Sequence, residues 1–291
     1  MNNNKYKGVM YILSAAFCFA LMNLFVRLAG DVPSIEKSFF RNLVALLFSA
    51  VILYRSHIPM SAGKGNLLPL FMRAAFGTLG IFCNFYAVDH LAISDASMLN
   101  KLSPFFAVIF SYIILKERIK PYQAGCLLLA FAGTVLIVRP GGNSIQMIPA
   151  LIGALGGLGA GTAYTMVRVL GKRNVPGAYI VFFFSTFSCL AALPSFYIDY
   201  QPINTHQLLM LLCAGLAATG GQFSITAAYT HAPAKEISIY DYSQILFAAI
   251  LGYVFLDQIP DRASVLGYMI IFAASLIMFL RNNQEPAKDQ D

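Results

Sequence analysis

The sequence predicts an all-α integral membrane protein, with ten transmembrane helices in two inverted five-helix repeats around a central cavity. Three observations predict it: an apolar composition, ten apolar runs of spanning length, and a likeness between the two halves. Charged residues make up 11% of the 291 and hydrophobic residues 58%, and the mean hydropathy is +0.67. An ordinary soluble domain carries about 25% charged residues. Soluble domains filling this length would lack the polar surface to cover themselves.

A spanning helix needs about 20 mainly apolar residues. The runs that qualify are 8–28, 37–54, 67–88, 93–115, 121–138, 147–168, 177–198, 206–229, 236–256 and 262–280. The first follows a basic start, "MNNNKYKG". It is longer than the apolar core of a typical signal peptide and no A-x-A-like site follows it, so it reads as a retained span. Lys and Arg set the orientation. With the N-terminus in the cytoplasm, fourteen lie on inside flanks and four (Arg27, Lys37, Arg139, Arg262) on outside flanks; Arg41 and Lys101 fall within spans. Both termini are therefore expected in the cytoplasm, in a multi-pass protein of the cell (inner) membrane.

The net charge of +7 does not indicate nucleic acid, because the basic residues punctuate apolar runs instead of clustering among polar ones. All five cysteines fall within the runs, which suits small buried hydrophobes better than a disulfide framework. The four histidines lack metal-ligand spacing, and no cofactor is implied.

Sliding residues 78–115 onto 219–256, a shift of 141, aligns eleven identities in 38 positions, among them Thr78/Thr219, Gly80/Gly221, Ser97/Ser238 and Tyr112/Tyr253; Asp95 meets Glu236. The shift carries spans 3 and 4 onto spans 8 and 9, so the unit is five helices, residues 1–140 and 141–291. Five is odd, so the second unit enters the membrane the other way up. Inverted repeats recur in secondary transporters, whose substrate sites lie near the midplane where the repeats meet. In span 6, Gly153, Gly157 and Gly161 line one face and place that helix in the interior, closely approached by another backbone.

Lys101 lies about 12 Å into span 4 and Asp241 about 8 Å into span 9 at 1.5 Å per residue. The repeat shift pairs Asp241 with Asn100, the neighbour of Lys101. A lysine at mid-span costs about 2.5–3.5 kcal/mol on insertion scales. Three readings fit: a direct ion pair, although the depths put the two about 10 Å apart vertically in a core of about 30 Å; snorkelling to water; or a shared water-filled cavity. The polar neighbours favour the cavity, and the expected substrate contacts are Lys101, Asp241, Asn84, Tyr86, Asn100, Tyr164, Gln222, Tyr240, Tyr242 and Gln244. Pro104 is expected to bend span 4 beside Lys101. Arg41 and Arg73, near span ends, read as anchors or helix–helix clips, and Glu117 as a cap of helix 5 or a partner of Arg118.

The stretches "FFRNLVALLF", "RAAFGTLGIFCNFYAVDHLAISDASMLNKLSPFFAVIFSYIILKERI" and "QAGCLLLAFAGTVLIV" resemble the EamA family of the drug/metabolite transporter superfamily. The resemblance covers nearly the whole chain. It implies a central cavity lined largely by helices 1, 3, 4, 6, 8 and 9, and the movement of small metabolites, often outward. Two departures stand out: Ser103–Pro104 of span 4 has no proline in its counterpart, Ser243–Gln244, and Glu117 after span 4 is matched by Asp257 after span 9.

The expected function is a secondary carrier moving a small polar organic metabolite by alternating access, in the direction of export. Lys101 would attract a carboxylate or phosphate and Asp241 an amine or a coupling proton or ion, which makes a zwitterion such as an amino acid the simplest substrate. The alternatives are an uptake carrier for a nucleoside-like or cofactor-like metabolite and a lipid-headgroup flippase. An enzyme fits poorly. Tyr240–Asp241 resembles half of an intramembrane aspartyl protease site, but the second aspartate that would share the proton has no motif here.

Overall fold

The computed structural model describes residues 3–58, 63, 65–90, 99–138, 147–194, 202–256 and 262–284. Asp95, Ser97, Arg139 and Asp257 lie outside the described residues. The chain is helical, and a helix lies on each apolar run: α1 Asn3–Leu28, α2 Ser34–Arg55, α3 Leu67–His90, α4 Ser103–Leu115, α5 Pro121–Val138, α6 Met147–Lys172, α7 Gly177–Ala192, α8 Thr205–His231, α9 Ser243–Leu256 and α10 Arg262–Gln284. Among the described residues six segments are long and apolar enough to cross a membrane, and four helices are apolar but shorter.

The short helices α4 and α9 share a cause. A helix of 13 or 14 residues reaches only about 20 Å, against a hydrocarbon core of about 30 Å. Each is the second part of an interrupted helix. Leu99 and Asn100 are helical, Lys101 and Leu102 form a turn, and α4 restarts at Ser103 with proline in its first turn. Proline has no N–H to donate to the Asn100 carbonyl one turn earlier, so it is accepted in a first turn and the break falls just ahead of Pro104. Before α9 one α-turn, Ala234–Ile237, runs into a 3₁₀ stretch, Ser238–Tyr242. No proline enforces this second break; there the Ser243 hydroxyl donates to the Tyr240 carbonyl at 2.6 Å, competing with the regular ladder. The two interruptions sit at positions related by the shift of 141.

Packing follows the same relation. The most extensive contacts are α1 with α8, α3 with α6, α5 with α10 and α2 with α7, followed by α4 with α6, α2 with α8, α1 with α9 and α3 with α7. Advancing each helix number by five, cyclically, returns the same set of pairs, as expected of two like halves facing each other.

Glycine makes the inner layer tight. On one side of α6, a Cβ at Gly157 would stand 2.7 Å from the Leu99 carbonyl oxygen, and one at Gly161 would stand 2.8 Å from that of Ser103. On the other, Gly159 would meet the Phe76 carbonyl of α3 at 2.8 Å. The interior position expected for this helix is thus observed, with α3 and the α4 break on two different glycine faces.

Candidate functional site

Helices α1, α2, α3, α6, α7 and α8, with the two breaks, enclose a cavity of about 550 Å³. It runs from exposed Arg27, Gly30 and Asp31 at the α1–α2 connection to Lys101, Asp241 and Gln244 at its floor. Beyond the floor the molecule closes in buried apolar packing that includes Val167, Leu170, Tyr229 and Ile237. At that end Glu117 Oε1 accepts from Arg168 Nε at 3.2 Å and pairs with Lys172 Nζ at 3.0 Å. Arg168 also donates to the Thr230 carbonyl at 3.2 Å, and Lys235 to that of Arg118 at 2.8 Å. Glu117 therefore clamps α4 to α6, correcting the expected helix-5 cap or Arg118 pair: the left-handed turn at Lys116, φ 55°, aims it across the bundle.

The floor is built by the interrupted helices. Lys101 Nζ lies 3.2 Å from Asp241 Oδ2, with side chains 9% exposed on both residues. It also donates to Gln244 Oε1 at 2.7 Å and to the Asp241 carbonyl at 3.3 Å. An ammonium has three protons, so Lys101 is saturated. In return, the Tyr242 hydroxyl donates to the Lys101 carbonyl at 2.9 Å. The residue pairs Asn100/Asp241 and Lys101/Tyr242 are repeat mates, so the breaks exchange hydrogen bonds, and carbonyls freed in one half are satisfied from the other. The direct pair expected to be hindered by depth is present, because both backbones are locally unwound and the lysine stem covers the gap. Snorkelling of Lys101 does not occur: its ammonium is directed inward and held.

Of the expected contacts, Lys101, Asp241, Asn84, Asn100, Tyr164, Gln222 and Gln244 line the cavity. Three do not. Tyr86 is two residues from Asn84 and so about 200° round the helix; it is 39% exposed and stacks on His90 with centroids 4.0 Å apart. Tyr240 is buried in the apolar core. Tyr242 is fully buried and spends its hydroxyl on the break. Tyr164 stacks on Tyr229 at 4.9 Å, which holds its ring at the wall.

The sequence reading missed two residues. Arg41 and Arg73 line the cavity instead of anchoring or clipping helix ends. The Arg73 guanidinium lies over the Phe184 ring at 4.0 Å, and Arg41 approaches the Phe19 ring at 5.8 Å. The usable signal was depth: each lies two turns inside its helix, about 10 Å, the same argument that singled out Lys101.

The EamA-like transporter family model matches twice, over residues 6–139 and 147–280. The chain belongs to the EamA-like transporter family. The pseudopaline exporter CntI of Pseudomonas aeruginosa is 30% identical over 273 residues, covering 93% of this chain and 95% of that protein. An uncharacterized transporter of Helicobacter pylori is 27% identical, covering 96% and 97%, and human solute carrier family 35 member G1 is 27% identical, covering 97% and 81%. A solved crystal structure with 17% identity superposes with a TM-score of 0.82, covering 96% of this chain and 99% of that one, and supports the fold. The EamA chain is accordingly a multi-pass membrane transporter and not an enzyme.

Proposed function

We propose that this transporter is a secondary carrier moving a small polar organic metabolite, amino-acid-like in character, out of the cell by alternating access. The observation that carries the reading is the Lys101–Asp241 pair on two interrupted, repeat-related helices at the floor of a cavity open toward one end. Substrate sites of inverted-repeat carriers are formed by such discontinuous helices. A zwitterion entering there would exchange one ion pair for two, its carboxylate on Lys101 and its ammonium on Asp241. In this reading the repeats are residues 1–140 and 141–291, inverted and of five helices each. Both termini are cytoplasmic in the inner membrane, and the cavity faces outward. The exporter among the relatives supports the direction.

The test is a thermal-shift screen of the purified protein against the twenty amino acids, nucleosides and simple organic acids, run beside Lys101→Met. A compound at 100 times its dissociation constant stabilises the state it binds by about 2.7 kcal/mol. A stabilising compound that the variant no longer binds, and that exchanges across proteoliposomes, upholds the reading. Soluble compounds that bind equally well to both proteins would remove Lys101 from the site.

A further inference from the structure

Lys101 and Asp241 neutralise each other, and the ammonium has no donor left. The cavity nevertheless is lined by four more cations, Arg27 and Lys37 together with Asp31 toward the mouth, and Arg41 and Arg73. Among the described residues no carboxylate pairs with Arg41 or Arg73 and no hydrogen bond reaches either; their close partners are aromatic faces. Arg73 is 2% exposed, and its Nε–H is buried without an acceptor. The two guanidinium-bearing residues and Tyr164 line the same cavity. Room has been left for this arrangement: a Cβ at Gly77 would collide with Arg73 Nη1 and stand 2.9 Å from the Phe184 ring.

A buried, unpaired guanidinium is costly in an apolar surrounding. A second one on the same cavity wall adds like charge to a space where neither has a carboxylate partner among the described residues. Guanidinium presents a planar fork of donors that matches carboxylate or phosphate two bonds at a time. We infer that Arg41 and Arg73 form an oxyanion subsite in the same cavity as the Lys101–Asp241 pair, and that the substrate carries at least two acidic groups and a net negative charge. The inference rests on the carrier reading and narrows it: the amino-acid-like end meets the floor pair, and the additional carboxylate or phosphate meets the arginines.

The experiment measures binding of glutarate, butyrate, inorganic phosphate and glutamine to the detergent-purified protein, and compares phosphatidylglycerol with phosphatidylcholine in nanodiscs. Within the unmodified protein, glutarate binds at least about tenfold more tightly than butyrate, one good charge-assisted contact being worth at least that much. Arg73→Gln and Arg41→Gln each lose that preference, and Arg73→Lys, which keeps the charge without the fork, loses most of it. Equal binding of glutarate and butyrate overturns the subsite. Glutamine binding that depends on Lys101, with no binding of either dianion, overturns it too while leaving the carrier reading intact. Arginine-dependent stabilisation by phosphatidylglycerol alone upholds the oxyanion subsite, assigns it to a lipid phosphate, and overturns the soluble-metabolite reading.

Discussion

At the scale of single residues, burial decides what each charge is for. Removing one partner of a buried ion pair strands the other and costs about 3–5 kcal/mol. Lys101→Met and Asp241→Asn should therefore each lower the thermal midpoint markedly, and the double variant should recover part of the loss. Additive losses in a double-mutant cycle would show that the contact contributes nothing. Tyr242→Phe deletes a neutral hydrogen bond and should cost only about 1 kcal/mol, read in the same unfolding assay. Much of the residue chemistry was legible beforehand, since amides and a lysine inside apolar runs have few other reasons to be there. What misled was the ends of the runs. Arg73 reads as a flank only if depth is ignored: the expected run already begins at residue 67, where the helix starts, and the six residues of depth were not counted for it as they were for Lys101. The tyrosines misled because burial is not cavity lining: Tyr240 and Tyr242 are buried in packing, and of the four expected only Tyr164, whose ring rests on Tyr229, lines the cavity.

At the scale of elements, the glycines of α6 set how near α4 and α3 come. Gly161→Ala places a methyl 2.5 Å from Phe106 Cβ and 2.8 Å from backbone. It should destabilise by about 1–3 kcal/mol through overpacking. Gly125 in α5 faces open space, with nothing within 4 Å of where a Cβ would stand, so Gly125→Ala should be neutral or stabilise by up to about 1 kcal/mol. Thermal midpoints of the two variants check both values, and a larger loss at Gly125 than at Gly161 would contradict the packing argument. Helix positions were readable from hydropathy because lipid enforces a minimum apolar length. The break before α9 was not, since no proline marks it; it arises from tertiary contacts that the sequence does not display locally.

At the scale of the whole molecule, the cavity reaches the α1–α2 end, and the opposite end is bound together by Glu117 with Arg168 and Lys172. Glu117→Gln withdraws the charge that holds two cations from different turns of α6. Hydrogen exchange should then quicken around the ends of α4, α6 and α8, near Thr230, while the helices around the cavity mouth change little. Unchanged exchange there would mean that apolar packing alone keeps this end shut. The overall plan was foreseeable from the shift of 141, because duplicated halves must pack in duplicate. The charge cluster was not, since its members are 51 and 55 positions apart in the chain, brought back to one end by the two intervening helices α5 and α6.

The reciprocal bonds between the breaks have a mechanical consequence. Lys101 reaches forward to the carbonyl of Asp241, and Tyr242 reaches back to the carbonyl of Lys101. These two links point in opposite directions across one seam, so displacing either segment along the other stretches both together. A joint of that kind resists small excursions and yields all at once. In the alternating-access reading proposed above, passage between the two forms would be a click rather than a slide, and half-open intermediates that would leak ions would be kept scarce.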